Sequence, residues 1–380
     1  MTEKLFYKDS YIKEFEATVL SCEKDKNLYK IILDKTAFFP EGGGQTSDTG
    51  YIGDAKITDV QEIDGKIIHF ADKEVEGVVF CKLDFERRYI KMQSHTGEHI
   101  MSGVAHNLFG AENVGFHLGD DVVTMDYDIQ FTKEQLEQIE LEANKIIYQN
   151  KEILCYFPSE AELDILEYRA KLDLKENVRI VEIKDCDFCA CCAPHVKSTG
   201  EVGVIKITES LNWKGGTRLF IHCGEEAFLH YRKTYDTVKA ISGLMSAKQE
   251  SLVQFVEKYM EETNKLKYEL EQADINRARL IAERFENTSE SIVVKDALLK
   301  TEGMRELINI LKAKTQKCVC VLVGEENNYR FIIGAENMPL RTLIKDINSK
   351  LNGKGGGNDL MVQGSFSTNF EEIEKAIKEL

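Results

Sequence analysis

Two pairs of potential metal ligands stand at the same spacing in distant parts of the sequence. His95 and His99 are four residues apart in a stretch with helical periodicity, so both imidazoles are expected on one face of a helix. Cys191 and His195 repeat that spacing far downstream. Three imidazoles and one thiolate form a tetrahedral donor set of the kind that zinc prefers. The spacing therefore predicts a Zn2+ site with these four ligands.

The identity of the cysteine ligand stays open at this point. Cys186, Cys189, Cys191 and Cys192 fall within seven residues, which is typical of a metal site or a reactive thiol rather than of a disulfide framework. Cys191 stands four residues before His195, but Cys189 and Cys192 are close enough to compete for the same place.

The segment from His95 to His99 supports a second enzymatic interpretation. It matches H-x-x-E-H, the inverted zinc-peptidase signature, in which Glu98 would be the general base. The pattern is short, and it does not account for Cys191 and His195. A zinc metallopeptidase is therefore the rival enzyme hypothesis.

A glycine-rich segment, residues 38–50, interrupts the strand-like runs of the N-terminal part. Its consecutive glycines, Gly42, Gly43 and Gly44, are unsuited to a strand interior because they leave the backbone free to adopt positive φ. We expect this segment to turn sharply and to let another group approach its backbone closely.

The periodicity of the chain changes near residue 86. Residues 1–85 contain short strand-like runs with turn signals, including Asp64-Gly65 at a hairpin, and predict a small β-barrel. Helical spacing follows, with a second helix at 133–148 that Thr132 can cap, and strand-like runs return from residue 178. Helices mixed with such strands predict an α+β fold.

Residues 252–280 carry a heptad pattern of apolar residues with polar residues between them. About four heptads are enough for a coiled coil, so the pattern predicts a helix through which two copies of the chain could form a homodimer. The alternative is a single solvated helix that packs against its own domain.

The C-terminal part, residues 291–380, alternates helix-like and strand-like runs around a glycine-rich stretch at 352–359. Backbone N–H groups of Gly355, Gly356 and Gly357 could bind a phosphate, with Lys354 adding a positive charge. A plain surface loop is the alternative.

The composition limits the classes of function. The net charge of −16 argues against a large basic surface for nucleic acid, but the acidic excess lies in residues 1–290, which leaves the C-terminal part as the better contact for a polyanion. No apolar stretch is long enough to cross a membrane. Without an export signal, the ten cysteines are expected to be reduced thiols in the cytoplasm.

The motifs occur in the same order as in the alanyl-tRNA editing family. The chain resembles the long, free-standing type of editing protein, called AlaX, and the editing and C-terminal domains of alanyl-tRNA synthetase. The resemblance covers nearly the whole chain and is carried by the glycine-rich segment 34–50, the HxxxH pair, the strands at 115–119 and 125–128, the segment 191–196, the segment 214–224 and the glycine-rich tail stretch with Gln363-Gly364. One departure is that Cys192-Ala193-Pro194 stands where the family has Gly-Gly-Thr.

The resemblance implies an activity and its residues. Family members hydrolyse the ester that joins a wrong amino acid, serine or glycine, to alanine tRNA, with zinc at the HxxxH and Cys/His pairs. Thr36 and Gln45 would line the amino-acid pocket, with Asp48 and the backbone of Gly43 and Gly44 shaping it. Lys354 and the glycines after it would contact the RNA as part of a DHH-associated domain.

The expected organisation has four parts: a β-barrel domain at 1–88, a zinc-binding editing domain at 89–235, a helical coiled-coil arm at 236–289 and a small α/β RNA-binding domain at 290–380. The function expected from the sequence is hydrolysis of mischarged alanine tRNA. The alternative outside the enzyme class is a tRNA-binding or RNA-binding protein whose zinc is only structural.

Overall fold

The computed structural model describes residues 2–120, 123–170 and 178–380. It combines helices and strands throughout, which confirms the α+β class. The chain divides into two compact units, Met1–Lys239 and Ala240–Leu380, so the four smaller parts expected from the sequence stay a prediction. Among the residues described, no helix has the length and apolar character needed to cross a membrane.

The first unit contains most of the strands. They are β1 (Glu3–Lys4), β2 (Glu14–Asp25), β3 (Leu28–Leu33), β4 (Lys35–Thr36), β5 (Gly50–Ile52), β6 (Ala55–Ile63), β7 (Lys66–Ala71), β8 (Val78–Leu83), β9 (Asn113–Leu118), β10 (Val123–Tyr127), β11 (Ile153–Tyr156), β12 (Ile180–Ile183), β13 (Asp187–Ala190), β14 (Ile205–Trp213) and β15 (Gly216–Cys223). The helices up to the boundary between the units are α1 (Leu5–Lys8), α2 (Phe85–Phe109), α3 (Lys133–Tyr148), α4 (Glu160–Leu163) and α5 (Gly224–Met245), and α5 contains that boundary.

Six N-terminal strands close into a barrel in the order β2-β3-β7-β6-β5-β8. Alternate side chains, such as Ile31, Leu33 and Ile57, point inward and are fully buried. The turn between β6 and β7 has positive φ at Asp64 and Gly65, 50° and 71°, as the hairpin signal predicts.

Helix α2 is the central element of the site. The Asp84 side chain accepts a hydrogen bond from the Arg87 N–H at its start, and Gly110 ends it in the left-handed conformation at φ 65°. Nearly every residue in its middle section is buried, because the helix contacts β9, β13, β15 and α3. Polar side chains on such a helix need protein partners or a ligand.

Three smaller sheets complete the described part of the first unit. One is the parallel pair β1-β4, and the other two have the orders β14-β15-β10-β9 and β11-β12-β13. Helix α3 has the predicted bounds, and Thr132 and Gln135 form the capping box that starts it. The segment that carries Cys191 and His195 follows β13 directly.

The second unit is a smaller α/β structure. Its strands are β16 (Ile292–Lys295), β17 (Cys318–Glu325), β18 (Asn328–Ala335), β19 (Gly353–Gly357) and β20 (Met361–Phe366), and its helices are α6 (Leu252–Ala282), α7 (Thr301–Leu311), α8 (Leu340–Lys350) and α9 (Phe370–Lys378). The sheet order is β16-β17-β18-β20-β19. Several apolar heptad side chains of α6 are exposed, including Leu266 at 64%.

The glycine-rich stretch of the tail is an edge strand rather than a loop. β19 pairs antiparallel with β20, with Gly355 opposite Gly364. A Cβ on Gly355 would lie 2.4 Å from the Gln363 carbonyl oxygen, so the two backbones approach more closely than side chains would allow. Lys354 and Gly355–Gly357 are exposed on this edge.

Candidate metal centre and substrate cavity

The two histidines of α2 lie side by side, as their spacing predicts. The ring centroids of His95 and His99 are 5.6 Å apart, and both residues are buried. His195 approaches from the opposite side, with its ring 4.9 Å from that of His95 and 4.7 Å from that of His99.

The segment after β13 is held by Arg179. The Nη1 group of this arginine donates hydrogen bonds to the carbonyl oxygens of Cys191 at 3.0 Å and Ala193 at 2.9 Å. These contacts curl the segment around the guanidinium group, so that the side chains of Cys191 and His195 both lie next to the histidines of α2. The segment adopts this conformation with Cys192-Ala193-Pro194 between the two residues.

The structure brings the four predicted ligands together. The donor atoms of His95, His99, Cys191 and His195 all lie within 4.8 Å of one another. The Cys191 sulfur is 3.5 Å from His95 Nε2 and 3.4 Å from His195 Nε2. Three imidazoles and one thiol arranged in this way can hold a single metal ion.

The two competing cysteines are not members of the four-residue cluster. Cys189 forms a second group of potential ligands with His99 and Asp187. The Cys192 sulfur lies near the glycine-rich turn, where a Cβ on Gly43 would be 3.7 Å from it. Of the three cysteines, Cys191 is therefore the one that joins the four-residue cluster.

Each clustered histidine is oriented by a hydrogen bond at its other ring nitrogen. His95 Nδ1 lies 2.9 Å from Gln45 Oε1, and His99 Nδ1 lies 2.8 Å from Asp187 Oδ2. Because an amide or carboxylate oxygen accepts, these Nδ1 atoms carry the proton and Nε2 is left to bind a metal. Metal-binding histidines characteristically have such partners.

His195 follows the same pattern with a hydroxyl. Its Nδ1 lies 3.0 Å from Thr96 Oγ1, which also accepts the Val196 N–H at 3.4 Å. Burial, together with the charges of His99 and His95, lowers the pKa of His195 well below its usual value. The ring is therefore neutral, as a metal ligand must be.

The chemistry of Cys191 also fits a metal. Burial, with the neighbouring charges of Cys192 and Cys189, raises the pKa of its thiol well above the usual value. A bound cation would reverse this effect and hold the sulfur as a thiolate. The donor set thus fits a soft or borderline divalent ion.

An ion pair between Asp187 and Arg169 lies behind His99 and fixes its hydrogen-bond partner. Arg169 donates to both oxygens of Asp187, from Nε at 2.7 Å and from Nη2 at 2.8 Å. Burial acts to raise the pKa of Asp187, but the hydrogen bonds from Arg169 and His99 outweigh it and lower the pKa to about 2. Asp187 is therefore a fixed carboxylate behind the cluster.

A cavity of about 320 Å³ opens onto the cluster. Its walls include three of the four potential ligands, and its other lining residues include Gly43, Glu98, Lys4 and Arg179. This volume is in the range of small-molecule sites. The cavity therefore offers room for an organic group beside the donor atoms.

The structure buries Thr36 among internal partners. Its hydroxyl lies 2.9 Å from His69 Nε2 and accepts the Phe38 N–H at 3.1 Å. His69 Nδ1 lies 3.1 Å from the Ile31 carbonyl oxygen, so Nδ1 donates and Nε2 accepts from Thr36. Burial lowers the pKa of His69 to about 4. Thr36 is not among the cavity-lining residues that the structure describes.

Gln45 connects the glycine-rich turn to the cluster. Its Oε1 accepts from His95, while its Nε2 is buried and has no hydrogen-bond partner among the described residues. Gly43 and Gly44 have φ of 60° and 83°, as expected for a sharp turn. A Cβ on Gly44 would lie 2.6 Å from the Phe116 carbonyl oxygen.

Asp48 forms an ion pair that is almost completely inaccessible to solvent. Its carboxylate binds the Arg88 guanidinium, with Arg88 Nε 2.9 Å from Oδ1, and accepts the Phe39 N–H at 2.6 Å. Arg88 also donates to the carbonyl oxygens of Ala37 and Ser10. Asp48 thus fixes the glycine-rich segment on α2 and is absent from the described walls of the cavity.

Sequence reasoning missed the residues that orient the site. Asp187, Arg169 and Arg179 are spread over the chain and belong to no short motif, and Thr96 is an unspecified position of the His95–His99 motif. Arg169 and Arg179 lie outside the named strands and helices, so no periodicity marks them. The tail residues Lys354 and Gly355–Gly357 lie in the second unit.

Three family models match parts of the chain. Residues 3–82 match the model described as tRNA synthetases class II (A), residues 178–220 match the threonyl and alanyl tRNA synthetase second additional domain, and residues 289–380 match the DHHA1 domain. His95 and His99 lie between the first two matches, and Cys191 and His195 lie within the second. The matches define a chain built from domains that occur in tRNA synthetases.

Whole-chain relatives define the family more narrowly. The chain is 30% identical over 399 residues to the alanyl-tRNA editing protein AlaX-L of Pyrococcus horikoshii, an alignment that covers 98% of this chain and 96% of that protein. It therefore belongs to the AlaX-L family of alanyl-tRNA editing proteins, which confirms the resemblance seen in the motifs.

Other relatives are longer or smaller than this chain. The alanine–tRNA ligase of Pyrococcus abyssi is 29% identical over 406 residues, covering 99% of this chain but 43% of the ligase, so the chain spans less than half of the ligase. A solved structure, the C-Ala domain of the Aquifex aeolicus alanyl-tRNA synthetase, matches 24% of this chain and 89% of that domain with 25% identity and a TM-score of 0.21.

Proposed function

We propose that the protein is a zinc-dependent hydrolase that removes serine or glycine from mischarged alanine tRNA. One observation carries the proposal: in a member of the AlaX-L family, the four donor atoms of His95, His99, Cys191 and His195 converge beside a cavity of about 320 Å³. The cavity gives an aminoacyl ester access to the cluster. The fixed Nδ1 partners of the histidines favour metal binding at Nε2.

Some residues of the site would bind the metal, and others would hold the metal ligands and the glycine-rich turn in position. His95, His99, Cys191 and His195 would hold Zn2+, which supplies a Lewis acid to polarise the ester carbonyl. Gln45 and Asp187 keep the imidazoles of α2 in one orientation. Asp48, through Arg88, keeps the glycine-rich turn in place next to the cavity.

Selectivity for seryl over alanyl esters would depend on the side-chain N–H donor of Gln45. Its Nε2 is a buried donor without a described partner, and Gln45, like Thr36 and Asp48, is absent from the described walls of the cavity. The hydroxyl of a seryl group that reached this donor beside His95 would satisfy it. An alanyl methyl group would leave the donor unpaired, and sites built around such donors reject the apolar analogue strongly. Thr36, whose hydroxyl is already used, would support the loop rather than contact serine.

The second unit would bind the tRNA. Lys354 and Gly355–Gly357 form an exposed edge strand, and alternate N–H groups of an edge strand point away from the sheet. These groups and the lysine ammonium suit phosphate oxygens, which would position the tRNA without reading its sequence.

The test is a deacylation time course on alanine tRNA charged with serine, glycine or alanine. Zinc-loaded protein should remove serine or glycine, spare alanine, and lose at least about 100-fold in rate after chelation or in the His95→Ala/His99→Ala variant, because removal of the metal removes its transition-state stabilisation. The matched control is His106→Ala on the same helix, whose side chain is 49% exposed.

Two outcomes would overturn the proposal, and each would support a different candidate. Four protein donors complete a tetrahedral shell, which is typical of structural zinc. If zinc-loaded protein binds tRNA but hydrolyses none of the three esters, the protein is an RNA-binding protein with a structural metal. Cleavage of peptides by the same preparation would instead support the metallopeptidase alternative.

A further inference from the structure

Glu98 is a buried carboxylate beside the donor cluster that the proposed mechanism does not use. It lies on α2 next to His99 and is only 4% exposed. It lines the cavity together with His95 and His99, and it is the one carboxylate among the described residues of the cavity wall. A buried charge in this position needs a reason, because its desolvation costs several kcal/mol.

The two oxygens of this carboxylate have different surroundings. Oε1 accepts hydrogen bonds from Ser102 Oγ and Asn113 Nδ2, both at 2.7 Å, and these two side chains also bond to each other at 3.0 Å. Oε2 makes no hydrogen bond to a described residue and lies 3.7 Å from His99 Nε2. The carboxylate is therefore held rigidly by one oxygen, and the other is available to the cavity.

The nearest cation does not neutralise this second oxygen. Arg169 Nη1 is 3.8 Å from Oε1 of Glu98, but its Nε and Nη2 groups bind both oxygens of Asp187 at 2.7 and 2.8 Å. The guanidinium group is therefore committed mainly to Asp187. Glu98 Oε2 remains an acceptor that a positively charged ligand group would satisfy.

We propose that Glu98 binds the α-ammonium group of the aminoacyl substrate through Oε2. This inference rests on the proposed function, and it adds a group that distinguishes aminoacyl esters from other esters. The α-carbon is bonded directly to the ester carbonyl carbon, so the ammonium nitrogen is only two bonds away from that carbon. Glu98 Oε2 lies 3.7 Å from His99 Nε2, so a carbonyl at the donor cluster would bring the ammonium group close to this oxygen.

The charges of the cavity wall agree with this orientation. Lys4 and Arg179 line the same cavity as Glu98. An aminoacyl-tRNA end carries one ammonium group next to the ester and phosphates further along the chain. Glu98 matches the first. Of the three cationic side chains on the described wall, Arg169 is bound to Asp187, and Arg179 and Lys4, which is paired with Glu62 at 2.8 Å, match the second.

The experiment measures binding and hydrolysis for substrates that differ only at the α-position. The binding probes are two non-hydrolysable 3′-amides of adenosine, one with a seryl group and one in which a hydroxyl replaces the α-amino group. Hydrolysis is followed on the corresponding tRNA esters. Wild type, Glu98→Gln and Glu98→Asp are compared with zinc bound, and Glu112→Gln, at a half-exposed position, is the matched control.

Glu98→Gln keeps an acceptor for Ser102 and Asn113 and removes the charge. We expect it to weaken the Kd of the amino amide by about 10- to 100-fold and to change the Kd of the hydroxy amide by less than about 3-fold, since hydrogen bonds to charged groups are the stronger ones. The kcat/KM values of the two esters should change in the same ratio. Glu98→Asp retains the charge and should therefore keep a preference for the amino compounds. It replaces Glu98→Gln as the test variant if the glutamine variant does not fold.

Several results would overturn the assignment. Equal losses on the amino and hydroxy compounds would show that Glu98 acts on the attacking water or on the fold. A loss of bound zinc in Glu98→Gln would make it a metal ligand. An unchanged Kd ratio would show that the ammonium group lies elsewhere. If wild type binds the amides with the expected preference but hydrolyses no ester, the proposed function fails while the ammonium site stands.

Discussion

At the scale of single residues, the Asp48–Arg88 pair joins the glycine-rich segment to α2. Both side chains are almost fully buried. Asp48→Asn would leave the Arg88 charge buried without its partner, and we expect it to lower the free energy of unfolding of the first unit by about 3–5 kcal/mol. Urea unfolding followed by the fluorescence of Trp213, the single tryptophan and a residue of β14, measures this unit.

The matched control for this prediction is an exposed ion pair of the same unit. In the Lys133–Glu137 pair the two side chains are 84% and 63% exposed. Glu137→Gln should change the unfolding free energy by less than about 0.5 kcal/mol, because solvent screens the pair. Equal effects of the two substitutions would show that Asp48 does not hold the segment in place.

The sequence predicted which four potential ligands lie together, but it did not predict the residues that surround them. The i, i+4 spacing of His95 and His99 fixes their relation, since helix geometry is local. The partner of His99, Asp187, is 88 positions away, so no local pattern could indicate it. Thr36 and Gln45 were predicted to line the pocket, but the described wall lacks both of them. The Thr36 hydroxyl is bonded to His69 of the barrel strand β7.

At the scale of elements, the pairing of β19 with β20 depends on particular glycines. A Cβ on Gly355 would lie 2.4 Å from a backbone oxygen and 2.7 Å from the Gly364 Cα, whereas a Cβ on Gly356 would meet nothing within 4 Å. We expect Gly355→Ala to weaken this pairing by about 1–3 kcal/mol. Hydrogen exchange of peptides that span 353–366 should then be faster by about tenfold or more.

Gly356→Ala is the adjacent control with the same chemical change. Its exchange should stay within about twofold of wild type, because open space accommodates the methyl group. Similar exchange rates for the two variants would contradict the close approach of the strands. Tighter tRNA binding by either variant would argue against this edge as the RNA contact.

Element prediction succeeded where local signals were strong. The helix Lys133–Tyr148 has the predicted bounds, because its capping box and its periodicity agree. The helix of the heptad region extends over Leu252–Ala282 and so includes the predicted range. The glycine-rich edge strand was missed because its stability comes from contact with β20 and not from β propensity.

At the scale of the whole molecule, the exposed heptad face of α6 predicts a homodimer. Leu266 and Leu270 are 64% and 50% exposed in the single chain, and two such faces can cover each other as a coiled coil. Light scattering should give twice the mass of one chain. Leu266→Asp/Leu270→Asp should give a monomer, because it places charges in the seam.

Lys267→Asp, beside the seam, is the control and should remain dimeric. If the wild type is a monomer at micromolar concentration, the dimer prediction is wrong and α6 is a solvated helix within its own unit. The sequence could not decide between a monomer and a dimer, since a heptad pattern specifies an apolar helix face but not what covers that face.

The ribosome synthesises the two pairs of donor residues at different times. His95 and Cys191 are 96 positions apart in the chain. At about 5–20 residues per second, a ribosome needs about 5–20 s to pass from one to the other. Through that interval the barrel and α2 can emerge while their histidines still lack the thiol that completes the cluster. We therefore expect a nascent chain stalled before residue 191 to fail to retain zinc, and the released chain to retain it.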